Sequence, residues 1–165
     1  NALPICKFNK ILLIDCDMPY FEYLDKALFE IYNNYDLICI NRRSKQSLLT
    51  NKNLSSYQKT RHRIGNFIGK LINFFLKIDS EEADTQAGLK VFKKDNEFKK
   101  LNFFSKKYFF DLELIYHYRK NKKKILSIPV KYKIAEKSNI RIFSIKNFYI
   151  IYELFKIILI LKFFS

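Results

Sequence analysis

Along the chain, short unbroken apolar runs alternate with stretches whose apolar residues recur every three or four positions. Residues 10–15 (K-I-L-L-I-D) form a run of the first kind and predict a buried strand, with Asp15 and Asp17 just past its C-terminal end. From Pro19 to Tyr35, Phe21, Leu24, Leu28 and Ile31 fall at helical spacing, and Pro19 suits a helix start. Residues 36–41 (D-L-I-C-I-N) predict a second buried strand. Strand, helix and strand within about 30 residues make a βαβ unit, whose simplest form is a parallel sheet.

Residues 42–57 are polar, rich in Ser, Asn and Lys, and predict a mobile loop. A helix is expected over 58–77, with Ile64, Ile68, Leu71 and Phe75 as its apolar stripe. Gly65 and Gly69 lie four apart on it, a spacing that suits close packing against another helix of the same domain. An acidic loop carrying Asp79, Glu81, Glu82 and Asp84 leads to a strand over 89–92. A helix over 110–120 turns Leu112, Ile115 and Tyr116 inward, and a strand over 125–132 contains Pro129, which marks it as an edge or irregular strand.

The C-terminal stretch from Ser144, a suitable N-cap, to Phe164 is almost wholly apolar. Lys146, Glu153, Lys156 and Lys162 interrupt it, so it falls short of the roughly 20 apolar residues that a membrane span needs. On a helical wheel Lys146, Glu153 and Lys156 share one side, while Phe148, Ile151, Phe155, Ile158 and Leu159 face away. That is the pattern of an amphipathic helix, lying in a membrane interface or docked on the protein's own core. The chain thus divides into residues 1–143 and a C-terminal helix over 144–165.

With 165 residues and 48% hydrophobic positions, the chain fits one ordinary domain with a real core. Cys6, Cys16 and Cys39 are an odd count without C-x-x-C spacing, which excludes a disulfide framework and a structural zinc and points to a reducing compartment. The net charge of +15 raises the question of nucleic acid. Phe, Tyr, Ile, Asn and Lys make up over half of the chain, so a codon bias would itself supply much of the lysine. Lys outnumbers Arg 25 to 6, whereas base and phosphate readers favour the guanidinium fork. Residues 90–133 hold 14 Lys and Arg against 4 acids, a bias that fits an anionic lipid surface and no nucleic acid. The sequence begins at Asn1, and no signal peptide is visible.

Asp15-Cys16-Asp17 is the first candidate for chemistry. Two carboxylates at the end of a buried strand sit at a sheet rim, where α/β proteins bind ligands, and their oxygens suit a hard divalent cation. Alone, D-x-D is a common pair and equally a solvated turn. Asp84-Thr85-Gln86-Ala87-Gly88-Leu89-Lys90-Val91-Phe92, however, resembles the D-T-Q-C-G-F-K-x-F signature of family 2 glycosyltransferases that use polyprenyl phosphates, dolichyl-phosphate glucosyltransferases and mannosyltransferases among them. Phe110-Asp111-Leu112-Glu113-Leu114 is similar to their F-D-x-E-L helix, and Ile128-Pro129-Val130 to their I-P-V strand. Asp15-Cys16-Asp17-Met18 stands in place of D-A-D-L, Asn41-Arg42 of S-R, and Arg63-Ile64-Gly65-Asn66 of R-x-x-N. Ser138 occupies the S-K or S-R position, with Arg141 the nearest base. The resemblance runs from about residue 10 to the C-terminus. The family's upstream V-I-P-x-x-N-E and D-D-G-S elements have no counterpart in the chain.

The resemblance implies an α/β nucleotide-diphospho-sugar transferase (GT-A, Rossmann-like) fold, incomplete at the N-terminus. It implies an inverting hexosyltransferase at the cytoplasmic face of a membrane, bound peripherally, with a nucleotide-sugar donor and a polyprenyl-phosphate acceptor. Asp15 and Asp17 would hold Mg2+ or Mn2+, Asp84 and Gln86 would line the sugar, and Arg42, Arg63 and Arg141 would bind the acceptor phosphate. His62 and His117 lack partners at metal-ligand spacing and read as structural or surface residues. Two other readings compete. I-L-L-I-D-C-D imitates the opening of a haloacid-dehalogenase-like phosphatase, but Pro19 stands where that chemistry wants Thr or Val. A basic module for nucleic acid or anionic lipid explains the charge and leaves the D-T-Q block unexplained.

Overall fold

The computed structural model describes residues 6–51, 53–79, 82–96, 98–101, 103–105, 109–134 and 145–163, the last segment with side chains from 149 onward. Its main sheet has four strands: β1 (Lys10–Ile14), β2 (Leu37–Asn41), β4 (Leu89–Lys93) and β5 (Ile125–Pro129). They lie in the order β1-β4-β2-β5. A two-stranded parallel sheet joins β3 (Leu48–Leu49) to β6 (Lys131–Tyr132). Helices α1 (Leu24–Asn33), α2 (Ser56–Leu76), α3 (Phe110–Lys120) and α4 (Ile145–Phe163) complete the α/β architecture.

The expected parallel sheet is a mixed one. β1 and β2 do run the same way, as a βαβ unit demands, but β4 is inserted between them antiparallel to both. Among the described residues of the main sheet, only β2 and β5 pair in parallel. A crossover through α1 leaves one strand's width between β1 and β2, and the apolar L-K-V-F of β4 fills it.

The sheet is covered on both faces, which is why β2 is buried at every position. Ile38 and Ile40 of β2, with Leu89 and Val91 of β4, pack under Ala27 and Ile31 of α1. Leu37, Cys39 and Phe92 face the other way, into a larger core with Ile72 and Leu76 of α2, Leu112 and Ile115 of α3, and Leu154, Ile157, Ile158 and Leu161 of α4.

Local chemistry sets the element ends. The first helix begins as a 3-10 turn over Phe21–Tyr23 and not at Pro19, because Tyr20 sits at φ 66°, outside the helical region. Phe21 is consequently left exposed. Ser55 caps α2 in a reciprocal box with Gln58, and the buried side of that helix is Ile68, Ile72, Phe75 and Leu76, with Ile64 exposed. Gly65 makes room for an arginine rather than for a helix: a Cβ there would lie 3.0 Å from Arg43 Nη2. The start of the stretch 42–57, expected to be mobile, is organised by the buried Asn41. Its Oδ1 accepts from the N–H groups of Arg43 (2.7 Å) and Ser44 (3.1 Å), and Ser47 Oγ, which donates to the Asn41 carbonyl, accepts from the Val130 N–H (3.0 Å). Pro129 ends β5, the edge strand, and the chain steps across Val130 into β6. At the opposite edge β1 exposes both Leu12 and Leu13, which point to opposite faces.

α4 lies against α2 and α3, and Tyr116 Oη donates to the Leu161 carbonyl at 2.6 Å. Among the described residues no helix is long and apolar enough to cross a membrane.

Candidate active site

Because β4 runs against its neighbours, its N-terminal end lies beside the C-terminal ends of β1 and β2. That rim gathers residues far apart in sequence. The Asp15 N–H donates to the Gly88 carbonyl (2.9 Å), and the Met18 N–H donates back to the Asp15 carbonyl (2.8 Å), closing a tight turn that leaves the Asp15 and Asp17 side chains exposed. Gly88 is required there: a Cβ would strike the Asp15 carboxylate and come within 2.7 Å of Pro19 Cγ.

Asp84 is the electrostatic centre of the rim. Only 1% of it is exposed, and Arg42 grips it with two bonds, Nε to Oδ2 at 2.7 Å and Nη2 to Oδ1 at 3.1 Å. The Gln86 N–H donates to Oδ1 at 2.9 Å, and Arg43 Nε lies 3.9 Å away. Burial pushes the Asp84 carboxyl up, but the charge and hydrogen bonds of Arg42, the Gln86 amide and Arg43 outweigh it and hold the pKa below the usual carboxylate value. Arg43 in turn donates to Asn66 Oδ1 of α2 at 3.0 Å. Tyr20 hydrogen-bonds the Arg42 guanidinium, and burial raises the pKa of both Tyr20 and Tyr132, which lie near it. A groove of about 610 Å3 opens between the Pro19–Tyr20–Phe21 turn and Lys131, Tyr132 and Lys133.

Beneath the rim lies Lys90, 1% exposed in the middle of the sheet. Its Nζ donates to the Ala87 carbonyl (2.7 Å) and stands 3.3 Å from Asp111 Oδ1. Burial raises the Asp111 pKa; Lys90 opposes that rise, and the charges of Asp15 and Asp84 add to it. Asp111 therefore belongs to the same electrostatic group as the predicted residues, although sequence reasoning gave it no role. The signal was available in the F-D-x-E-L match and in its place at the first turn of a helix. Two positions on, the buried Glu113 accepts from the N–H groups of Phe104 (2.7 Å) and Ser105, tying down the approach to α3. Cys39 is fully buried, and its thiol pKa is pushed up to about 12 by burial, so it is inert packing.

Of the predicted residues, Asp15, Arg42 and Asp84 lie together at this rim, with Asp17 in the turn and Gln86 exposed beside Asp84. Arg63 is exposed on α2, and the residue of that helix that reaches the rim is Asn66. Arg141, Ser138 and Ser144 lie outside the described residues.

The chemistry on offer is a pair of exposed hard-oxygen donors beside a paired arginine and a buried carboxylate. Among the described residues no three His, Cys, Asp or Glu side chains are grouped to hold a metal. A cation on Asp15 and Asp17 would therefore take most of its ligands from water and a bound phosphate, the habit of Mg2+. No protein-family model matches the chain, and no curated protein matches it.

Proposed function

We propose that the chain carries the acceptor side of an inverting GT-A glycosyltransferase, moving a sugar from a nucleotide-diphospho-sugar to a polyprenyl phosphate at the cytoplasmic face of a membrane. One observation carries the reading. The two motifs that suggested it, Asp15-Cys16-Asp17 and the Asp84–Phe92 block, stand some seventy positions apart in sequence yet are hydrogen-bonded to each other through Asp15 and Gly88.

In this reading a phosphate oxygen of the acceptor attacks the anomeric carbon as the bond from that carbon to the nucleoside diphosphate breaks, with inversion. The phosphate monoester has a second pKa near ~6, so it needs positioning more than a general base. Arg42 supplies cationic donors for that phosphate, and Asp84 fixes its angle. Asp84 and Gln86 border the sugar. Asp15 and Asp17 would hold Mg2+ or Mn2+, which when bound offsets charge on the leaving diphosphate. The donor's base needs further structure, and the free edge of β1, with Leu12 and Leu13 exposed, is where more strands would add.

The test is manganese-dependent transfer from nucleotide sugars to a short-chain polyprenyl phosphate by the enzyme with its nucleotide-binding half present. Asp17→Asn is expected to abolish transfer while leaving the thermal unfolding unchanged. Near-wild-type transfer by that variant at saturating metal would overturn the assignment. Residues 1–165 alone are expected to give no turnover.

A further inference from the structure

Two consecutive arginines follow β2, and the structure sets them different tasks. Arg42 commits Nε and Nη2 to the two oxygens of Asp84 and is hydrogen-bonded to Tyr20 as well. The Gln86 N–H takes a further approach to Oδ1 at 2.9 Å. Arg43 feels Asp84 only as a charge, its Nε 3.9 Å from Oδ1 and outside hydrogen-bond range. Among the described residues its guanidinium donates one hydrogen bond, from Nη1 to the neutral Asn66 Oδ1 at 3.0 Å. A guanidinium carries several more N–H donors than that.

The surroundings of Arg43 fix the side chain without using those donors. Gly65 leaves it room along α2, since a Cβ there would stand 3.0 Å from Nη2, and Asn66 aims it. The Arg43 side chain is 20% exposed, less than the 29% of Arg42. It borders a narrow cleft with Gly69 of α2 and with Thr85 and Gln86, which follow Asp84.

The charge count points the same way. Two guanidiniums stand around one carboxylate, which leaves a positive charge in a place largely removed from water. Burial lowers the Arg43 pKa, Asp84 opposes that, and the Arg42 cation adds to it. A second anion would relieve the excess and meet the remaining donors in the fork geometry that suits phosphate.

We infer that Arg43 is a second binding residue for the acceptor's phosphate monoester, holding it together with Arg42. The inference rests on the transferase reading for the identity of the anion, not for the presence of an anion subsite. Arg43 takes the place expected of Arg63, which lies exposed on α2.

The test titrates geranyl phosphate calorimetrically into the chain at pH 7.5, where a phosphate monoester is a dianion, with geranyl methyl phosphate as its singly charged counterpart. Arg43→Gln is expected to weaken geranyl phosphate about tenfold and the methyl ester about threefold, in proportion to charge. A merely structural role would weaken both alike. Arg63→Gln is expected to leave both within about twofold. Asn66→Ala changes an exposed helix position and keeps the Arg43 charge while releasing its aim, so it is expected to fold normally and to weaken the dianion about threefold. Equal losses on the two esters in Arg43→Gln, as large a loss in Arg63→Gln, or no binding of geranyl phosphate by the wild type would overturn the inference. So would a loss confined to uridine diphosphate with Mn2+, which would put Arg43 on the donor side. Charge-dependent binding through Arg43 in a protein that transfers no sugar, its nucleotide-binding half present, would defeat the transferase reading and leave the anion subsite standing.

Discussion

Removing the charge of Asp84 tests the centre of the site without touching its surface. In Asp84→Asn the amide oxygen still accepts the Gln86 N–H, but Arg42 loses a bidentate carboxylate whose side chain is fully buried. Breaking a buried ion pair by removing one partner costs about 3–5 kcal/mol. The Arg42 side chain is 29% exposed and regains some water, so about 2–3 kcal/mol is expected here. For a chain of this size that is a fall in Tm of about 5–10 °C. The pairwise share comes from a cycle of Asp84→Asn, Arg42→Met and the double variant in urea, with an expected coupling of about 1–3 kcal/mol. The sign with pH is also fixed. The folded carboxyl has a depressed pKa, so its contribution is full above the unfolded value of about 3.9 and is lost as pH falls through the lower folded value. The gap between wild type and Asp84→Asn therefore stays constant from neutral pH to about 5 and closes below about 4. A coupling near zero, or a gap that closes above pH 6, would refute the account of the Arg42–Asp84 pair.

Gly88→Ala would force the Asp15 turn and Pro19 apart, with an expected loss of about 1–3 kcal/mol in thermal unfolding; a neutral result would show the turn to be pliable. Leu161→Ala, at a fully buried position of α4, is expected to cost about 2–5 kcal/mol in urea, whereas Leu159→Ala, two positions away and half exposed, costs less than 1. Burial, and then the charge of Lys120, depresses the pKa of His117. Its stabilisation is thus full above the unfolded pKa of about 6.5 and is lost as pH falls below it, so His117→Phe should flatten the stability profile on the acid side of about pH 6.5. An unchanged slope would place the titrating group elsewhere.

Much of the architecture was legible because its signals are local. The apolar run ending at Asp15, the L-I-C-I of β2 and the helical spacing through α3 each fix their own element. The position of β4 was not legible, since L-K-V-F fits equally well beside β2 or outside it, and only the width left by the α1 crossover decides. The loop after Asn41 looked mobile because its composition is polar, but a buried amide and one serine hydroxyl give those polar groups their partners. At the site, Arg42 and Asp84 could be nominated separately. Their pairing spans 42 positions and depends on the tertiary fold. Lys90 was hidden by its type: a lysine in a strand reads as solvent-facing, and nothing local announces a carboxylate waiting across the core.

The strand order carries a consequence for how the molecule is made. Among the described residues, no two strands consecutive in the chain are neighbours in the main sheet, so each of its pairings closes a long loop and none is a hairpin. During synthesis β1 and β2 emerge as apolar ribbons and wait for β4, which supplies the partner edge for both. The contact that joins the Asp15 turn to Gly88 is one of these late closures. Assembly is therefore slow, exposed to mispairing, and unfinished at the site until the middle of the sheet is in place.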